Sequence, residues 1–159
     1  RPGTLAVHNI VGFGEACRIS QKVIEKDQRR IKELTDYMIQ EFQIAFPESI
    51  INGNLKKRIP GNINISFPRL INKPLISKMN KIAVSSGAAC SSLNPAPSHV
   101  LKALGVERSL IKSTIRIGIG RFNTKDEISW ACDYMIAVIK KASLKSFKVK
   151  KENFQEING

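Results

Sequence analysis

Gly61-Asn62-Ile63-Asn64-Ile65-Ser66-Phe67 alternates strictly between apolar and polar side chains, and Pro60 and Pro68 bracket it. A period of two puts Ile63, Ile65 and Phe67 on one face and Asn62, Asn64 and Ser66 on the other, as in a strand half-buried against a core. Upstream, Ile31, Leu34, Met38 and Phe42 recur every three or four residues, with Lys26, Asp27, Arg29, Arg30 and Lys32 between them. That spacing predicts a long helix from about Val7 to Phe46, stopped by Pro47. Downstream, a short helix is expected around Lys73 to Lys81 and a brief buried strand at Ile82 to Val84. Ser98 can cap a helix whose Val100, Leu101 and Leu104 share a face, and Gly105 suits its exit. Thr114 to Gly120 reads as another strand, and Thr124-Lys125-Asp126-Glu127 as a capping box opening a helix that carries Ile128, Ala131, Met135 and Val138. The expected architecture is α+β, with helices flanking a small sheet in one unit to about Ala142. Residues 143–159 read as a basic, flexible tail.

A chain of 159 residues, 42% of them hydrophobic, can build one real core. No apolar run approaches the roughly twenty residues of a membrane span, and no signal-peptide pattern opens the chain, so a soluble protein is expected. The opening Arg1-Pro2-Gly3-Thr4 reads as the middle of a loop and suggests a portion of something longer. A net charge of +13 raises nucleic-acid binding as one reading, since clustered cations displace counterions from phosphates. Its distribution argues against that reading. Much of the excess lies between Lys140 and Lys151, where only Phe147 interleaves with the lysines, which suits a solvated end.

Ser85-Ser86-Gly87-Ala88-Ala89-Cys90-Ser91-Ser92 sets one thiol among small and turn-forming residues directly after an apolar run. That setting favours an exposed loop, and exposure is what a nucleophilic thiolate requires. Cys17 and Cys132 sit in apolar runs and read as packing residues. Three cysteines without a C-x-x-C pair or clustered histidines give neither a zinc site nor a disulfide framework, which points to a reducing compartment. Arg116 stands on the face of its strand opposite Ile115 and Ile117. Its planar fork can hold a substrate carboxylate or make a structural ion pair, and Arg121 has the same two readings with the structural one favoured. Gly3-Thr4 offers a backbone N–H and a hydroxyl to a phosphate, or simply makes a turn. His8 and His99, isolated in sequence, read as structural.

Taken in order, Arg1-Pro2-Gly3-Thr4, His8-Asn9-Ile10-Val11-Gly12, Gly61 to Phe67, Ser85 to Cys90, Pro97-Ser98-His99-Val100-Leu101-Lys102-Ala103-Leu104-Gly105 and Ser113 to Phe122 resemble the group I cysteine desulfurases. The resemblance runs over nearly the whole chain to about Ala142. It implies the C-terminal portion of a pyridoxal 5'-phosphate-dependent enzyme of the aminotransferase class V fold: the end of a large domain, a long linking helix, then the small domain with the catalytic cysteine loop. The implied activity takes sulfur from L-cysteine, leaving L-alanine and a persulfide on Cys90 for acceptors in iron–sulfur cluster assembly and tRNA thiolation. Arg116 would hold the substrate carboxylate, and Thr4 the cofactor phosphate of the neighbouring subunit in a homodimer. Cys90 would also contact, transiently, a 2Fe-2S cluster shared with a scaffold protein. Sulfur-carrier proteins are the other implied partners, and the cytoplasm or a reducing organelle matrix such as the mitochondrial one the implied location. The family's cofactor-anchoring lysine, stacking histidine and ring-nitrogen aspartate lie upstream of the Arg1-Pro2-Gly3-Thr4 motif, so these 159 residues alone are expected to be inactive. Pro2 replaces a usual serine, Ile71-Asn72-Lys73-Pro74 a usual acidic turn containing glycine, and Lys112 a common histidine. The sequence from Ser143 does not resemble the family's scaffold-docking end. The competing reading is a non-catalytic remnant or split subunit that keeps dimerisation or partner binding.

Overall fold

The computed structural model describes residues 3–70, 75–85 and 98–157, with the side chains of 145–157 excepted. Helix α1, Val7–Ala45, has no proline in 39 residues, and the Phe46 N–H closes its end on the Phe42 carbonyl (2.8 Å) just before Pro47. Only its second half packs: Leu34, Thr35, Met38 and Phe42 are its buried residues. Among the described residues three strands follow the order β1-β2-β3 and pair antiparallel: β1, Ile50–Ile51; β2, Asn62–Ser66; and β3, Thr114–Gly118. The β2–β3 register sets Ile63 opposite Ile117, Ile65 opposite Ile115 and Asn64 opposite Arg116. Helix α2, His99–Ala103, is short, and helix α3 runs Lys125–Ile157.

One face of the sheet makes the core. Ile63, Ile65, Ile115 and Ile117 pack with Met38 and Phe42 of α1 and with Ile128, Cys132, Met135 and Ile139 of α3. Phe67, just past β2, meets Phe42 and Phe46 edge-on, with ring centroids at 6.1 and 5.4 Å. The capping box is present: the Thr124 N–H donates to Glu127 Oε2 (2.9 Å) and the Glu127 N–H to Thr124 Oγ1 (3.2 Å). Ser98 caps α2, its Oγ accepting from the Leu101 N–H, and Gly105 leaves the helix at φ +73°.

The structure departs from the sequence reading in five places. The helix expected at 73–81 is a single 3-10 turn at Ile76–Lys78 among the described residues, and Ile82 to Val84 form no strand; only Ser85 bridges to Arg116. Of the expected α2 face Leu101 alone is buried, because Val100 and Leu104 open onto a groove. The last strand ends at Gly118, where the Ile119 N–H turns to the Gly61 carbonyl (2.8 Å). Helix α3 continues past Ala142 to Ile157, although Ala142 is its last buried residue among those with described side chains.

Candidate active site

The polar face of the sheet forms the floor of a groove of about 260 Å³. Strand alternation places Arg116 and Asn64 side by side on that floor, and Ser98 and Leu104 bring α2 to its wall. Lys57, Arg58 and Arg116 all line it, and none of the lining residues is a carboxylate. The Arg58 guanidinium is occupied with backbone, donating to the carbonyls of Asn52 (2.7 Å), Asn54 (3.0 Å) and Asn62 (3.3 Å). Arg116 is different: it is exposed, it donates to Ser85 Oγ at 3.4 Å, and among the described residues it has no ion-pair partner. A guanidinium in an acid-free groove suits a small carboxylate.

Cys90 and its neighbours from Ser86 to Pro97 lie outside the described residues, so its assignments as nucleophile and as cluster contact rest on sequence. Of the two described residues that flank this segment, one lines the groove and the other is bonded to Arg116. Ser85 exchanges backbone hydrogen bonds with Arg116 (2.6 and 3.1 Å), and Ser98 lines the wall. Thr4 is exposed just before α1, far along the chain from Arg116, after Gly3 at φ +108°. Arg121 is structural, as favoured: it pairs with Asp27 (2.6 Å), and Arg30 donates to the Asn123 carbonyl (2.7 Å), fastening the β3–α3 turn to α1. His8 and His99 are exposed, and neither stands in the groove.

Cys17 corrects the sequence reading, for it is exposed instead of packed, on the half of α1 that nothing covers among the described residues. Sequence reasoning also missed Asn52, Asn64 and Arg58. The alternation signalled Asn64 as a polar-face residue, but which residue it would face depends on a strand register set by contacts fifty positions apart.

The aminotransferase class-V family model matches residues 1–130, and the chain belongs to that family. It is 45% identical over 141 residues to the cysteine desulfurase IscS of Ehrlichia chaffeensis, covering 89% of this chain and 34% of that one. Against the human cysteine desulfurase the figures are 38% identity, 89% and 31%. A NifS-like protein from Rickettsia africae superposes with a TM-score of 0.72 at 28% identity, over 88% of this chain and 36% of that one. The chain thus spans about a third of the length of the curated relatives it matches.

The family uses pyridoxal phosphate, and the residues present fit one corner of it. Thr4, with an exposed hydroxyl, lies between Gly3 and the start of α1, whose N-terminus has no side-chain cap, an arrangement open to a phosphate. Among the described residues no group of His, Cys, Asp and Glu is gathered to hold a metal ion, and no helix is long and apolar enough to cross a membrane.

Proposed function

We propose that this chain is the C-terminal part of a cysteine desulfurase that passes sulfur from L-cysteine to Cys90. The observation that carries the reading is Arg116: a guanidinium without an ion-pair partner among the described residues, in an acid-free groove, bonded to the residue that leads into the Cys90 segment. Arg116 holds the substrate carboxylate and so fixes which way the substrate's sulfur points. Pyridoxal phosphate, when bound, supplies the electron sink that weakens the carbon–sulfur bond, with Thr4 of a neighbouring subunit donating to its phosphate. The Cys90 thiolate forms a bond to the substrate sulfur as the carbon–sulfur bond breaks. The bonding pair stays with carbon, whose protonation completes L-alanine, and Cys90 is left as a persulfide.

The outer sulfur of the persulfide is then handed to sulfur carriers and to an iron–sulfur scaffold, where Cys90 would also contact a shared 2Fe-2S cluster transiently. The enzyme works as a homodimer in the cytoplasm or a reducing organelle matrix, and tRNA thiolation is the second outlet for its sulfur.

The test is Arg116→Ala in the full-length enzyme. KM for L-cysteine should rise at least about tenfold, as expected when a charged hydrogen-bond partner of a substrate is removed. An unchanged KM would remove the carboxylate role, and an absence of turnover in the full-length protein before any substitution would favour a non-catalytic chain.

A further inference from the structure

We propose that Asn64 is a second carboxylate-binding residue, its side-chain amino group fixed toward the groove beside Arg116 by a one-way chain of hydrogen bonds. The inference rests on reading that groove as the site of the substrate carboxylate. The chain begins at the Leu110 carbonyl, which can only accept. Thr114 Oγ1 lies 2.8 Å from it and must therefore donate its one proton there. Thr114 Oγ1 is then an acceptor for Ser66 Oγ at 2.7 Å, so Ser66 gives its proton to Thr114. Ser66 Oγ in turn faces the side-chain nitrogen of Asn52 at 2.8 Å, which confirms that this atom is an amino group and not an oxygen.

The second hydrogen of that Asn52 amino group goes to Asn64 Oδ1 at 2.6 Å. Asn64 therefore has no freedom to flip, since turning its amide would set two amino groups against each other. Its oxygen is committed inward, and its own amino group is left as a donor with no partner among the described residues. Asn52 is itself anchored, its N–H on the Asn64 carbonyl (2.8 Å) and its carbonyl held by Arg58. Ser66 and Thr114 are buried, which shields the chain from competing water. Asn64 lines the groove, and strand register sets it directly opposite Arg116. An amide donor beside a guanidinium supplies a carboxylate with a second, neutral hydrogen bond and penalises a ligand that presents a donor there.

Asn64→Asp is the discriminating change. It is isosteric and keeps the acceptor for Asn52, but sets an oxygen where the amino group stood. In the full-length enzyme we would measure KM for L-cysteine, with inhibition constants for propionate and its uncharged counterpart propionamide. KM and the propionate constant should each rise about tenfold, and about threefold in Asn64→Ala, with kcat and the propionamide constant within about twofold. Unchanged KM and propionate inhibition in Asn64→Asp would overturn the assignment, as would equal losses for propionate and propionamide, which mark a merely structural role. Should Asn64→Asp fail to fold, Asn64→Ala decides on the same readings. Arg116→Ala in the same assay separates the two claims: if it weakens propionate and Asn64→Asp does not, only Asn64 is misassigned, whereas if neither does, the carboxylate reading itself is wrong.

Discussion

Burial makes Cys132 an unreactive thiol. It is 1% exposed between α3 and the core, and desolvation, aided by the charges of Glu41 and Asp133, pushes its pKa up to about 12. The folded chain therefore keeps this thiol protonated where an unfolded chain would have lost the proton, so its contribution to stability falls as pH rises from about 9 toward 12. At pH 8, iodoacetamide should label exposed Cys17 in the native chain and leave Cys132 untouched until denaturant is added. Labelling of native Cys132 at the rate of Cys17 would contradict this packing. The sequence made Cys132 legible because its helix face is complete within the chain. It misled at Cys17, whose apolar neighbours have no cover among the described residues, and local composition does not say where a cover comes from.

At the scale of elements, the tightest junction is Gly61, where the turn into β2 is wedged between α1 and the end of β3. Its φ is +86°, and a Cβ there would lie 2.2 Å from the Ile119 carbonyl oxygen and 2.8 Å from Ile31 Cγ2. Its N–H also donates to Thr35 Oγ1 (3.1 Å). Gly61→Ala should cost roughly 3 kcal/mol, combining left-handed backbone strain with overpacking. Gly105→Ala, at φ +73° with nothing within 4 Å, should cost only about 1 kcal/mol. Urea unfolding of both variants checks the order, and equal losses would refute the wedge. Helices α1 and α2, the start of α3 with its capping box and the period of β2 were legible because each is written in neighbouring residues, whereas the helix expected at 73–81 is only a 3-10 turn at Ile76–Lys78 among the described residues. The Ile82 to Val84 segment was not, since three apolar residues fit a buried strand or an irregular edge alike, and only the single bridge from Ser85 to Arg116 distinguishes them.

Across the whole molecule, the sheet divides the work. Its apolar face closes the core with α1 and α3, and its polar face presents Arg116, Asn64 and the cationic groove. Beyond this unit, Leu5 and the first half of α1, with Val7, Ile10, Val11 and Phe13, expose an apolar strip that calls for a covering surface. That strip agrees with a protein whose curated relatives are about three times as long as this chain. The small-residue setting of Cys90 is a sequence expectation that falls outside the described residues, while the groove lined by Arg116 and Asn64 emerged only from strand pairing. The proposed desulfurase activity requires Cys90 as the sulfur acceptor. The most direct measurement is a single turnover of the full-length enzyme with L-cysteine, followed by mass spectrometry of the alkylated cysteine peptides. The Cys90 peptide should carry one extra sulfur in an amount matching the L-alanine formed, and Cys90→Ser should abolish the persulfide. A persulfide on Cys17 or Cys132 instead, or one that survives Cys90→Ser, would contradict the account.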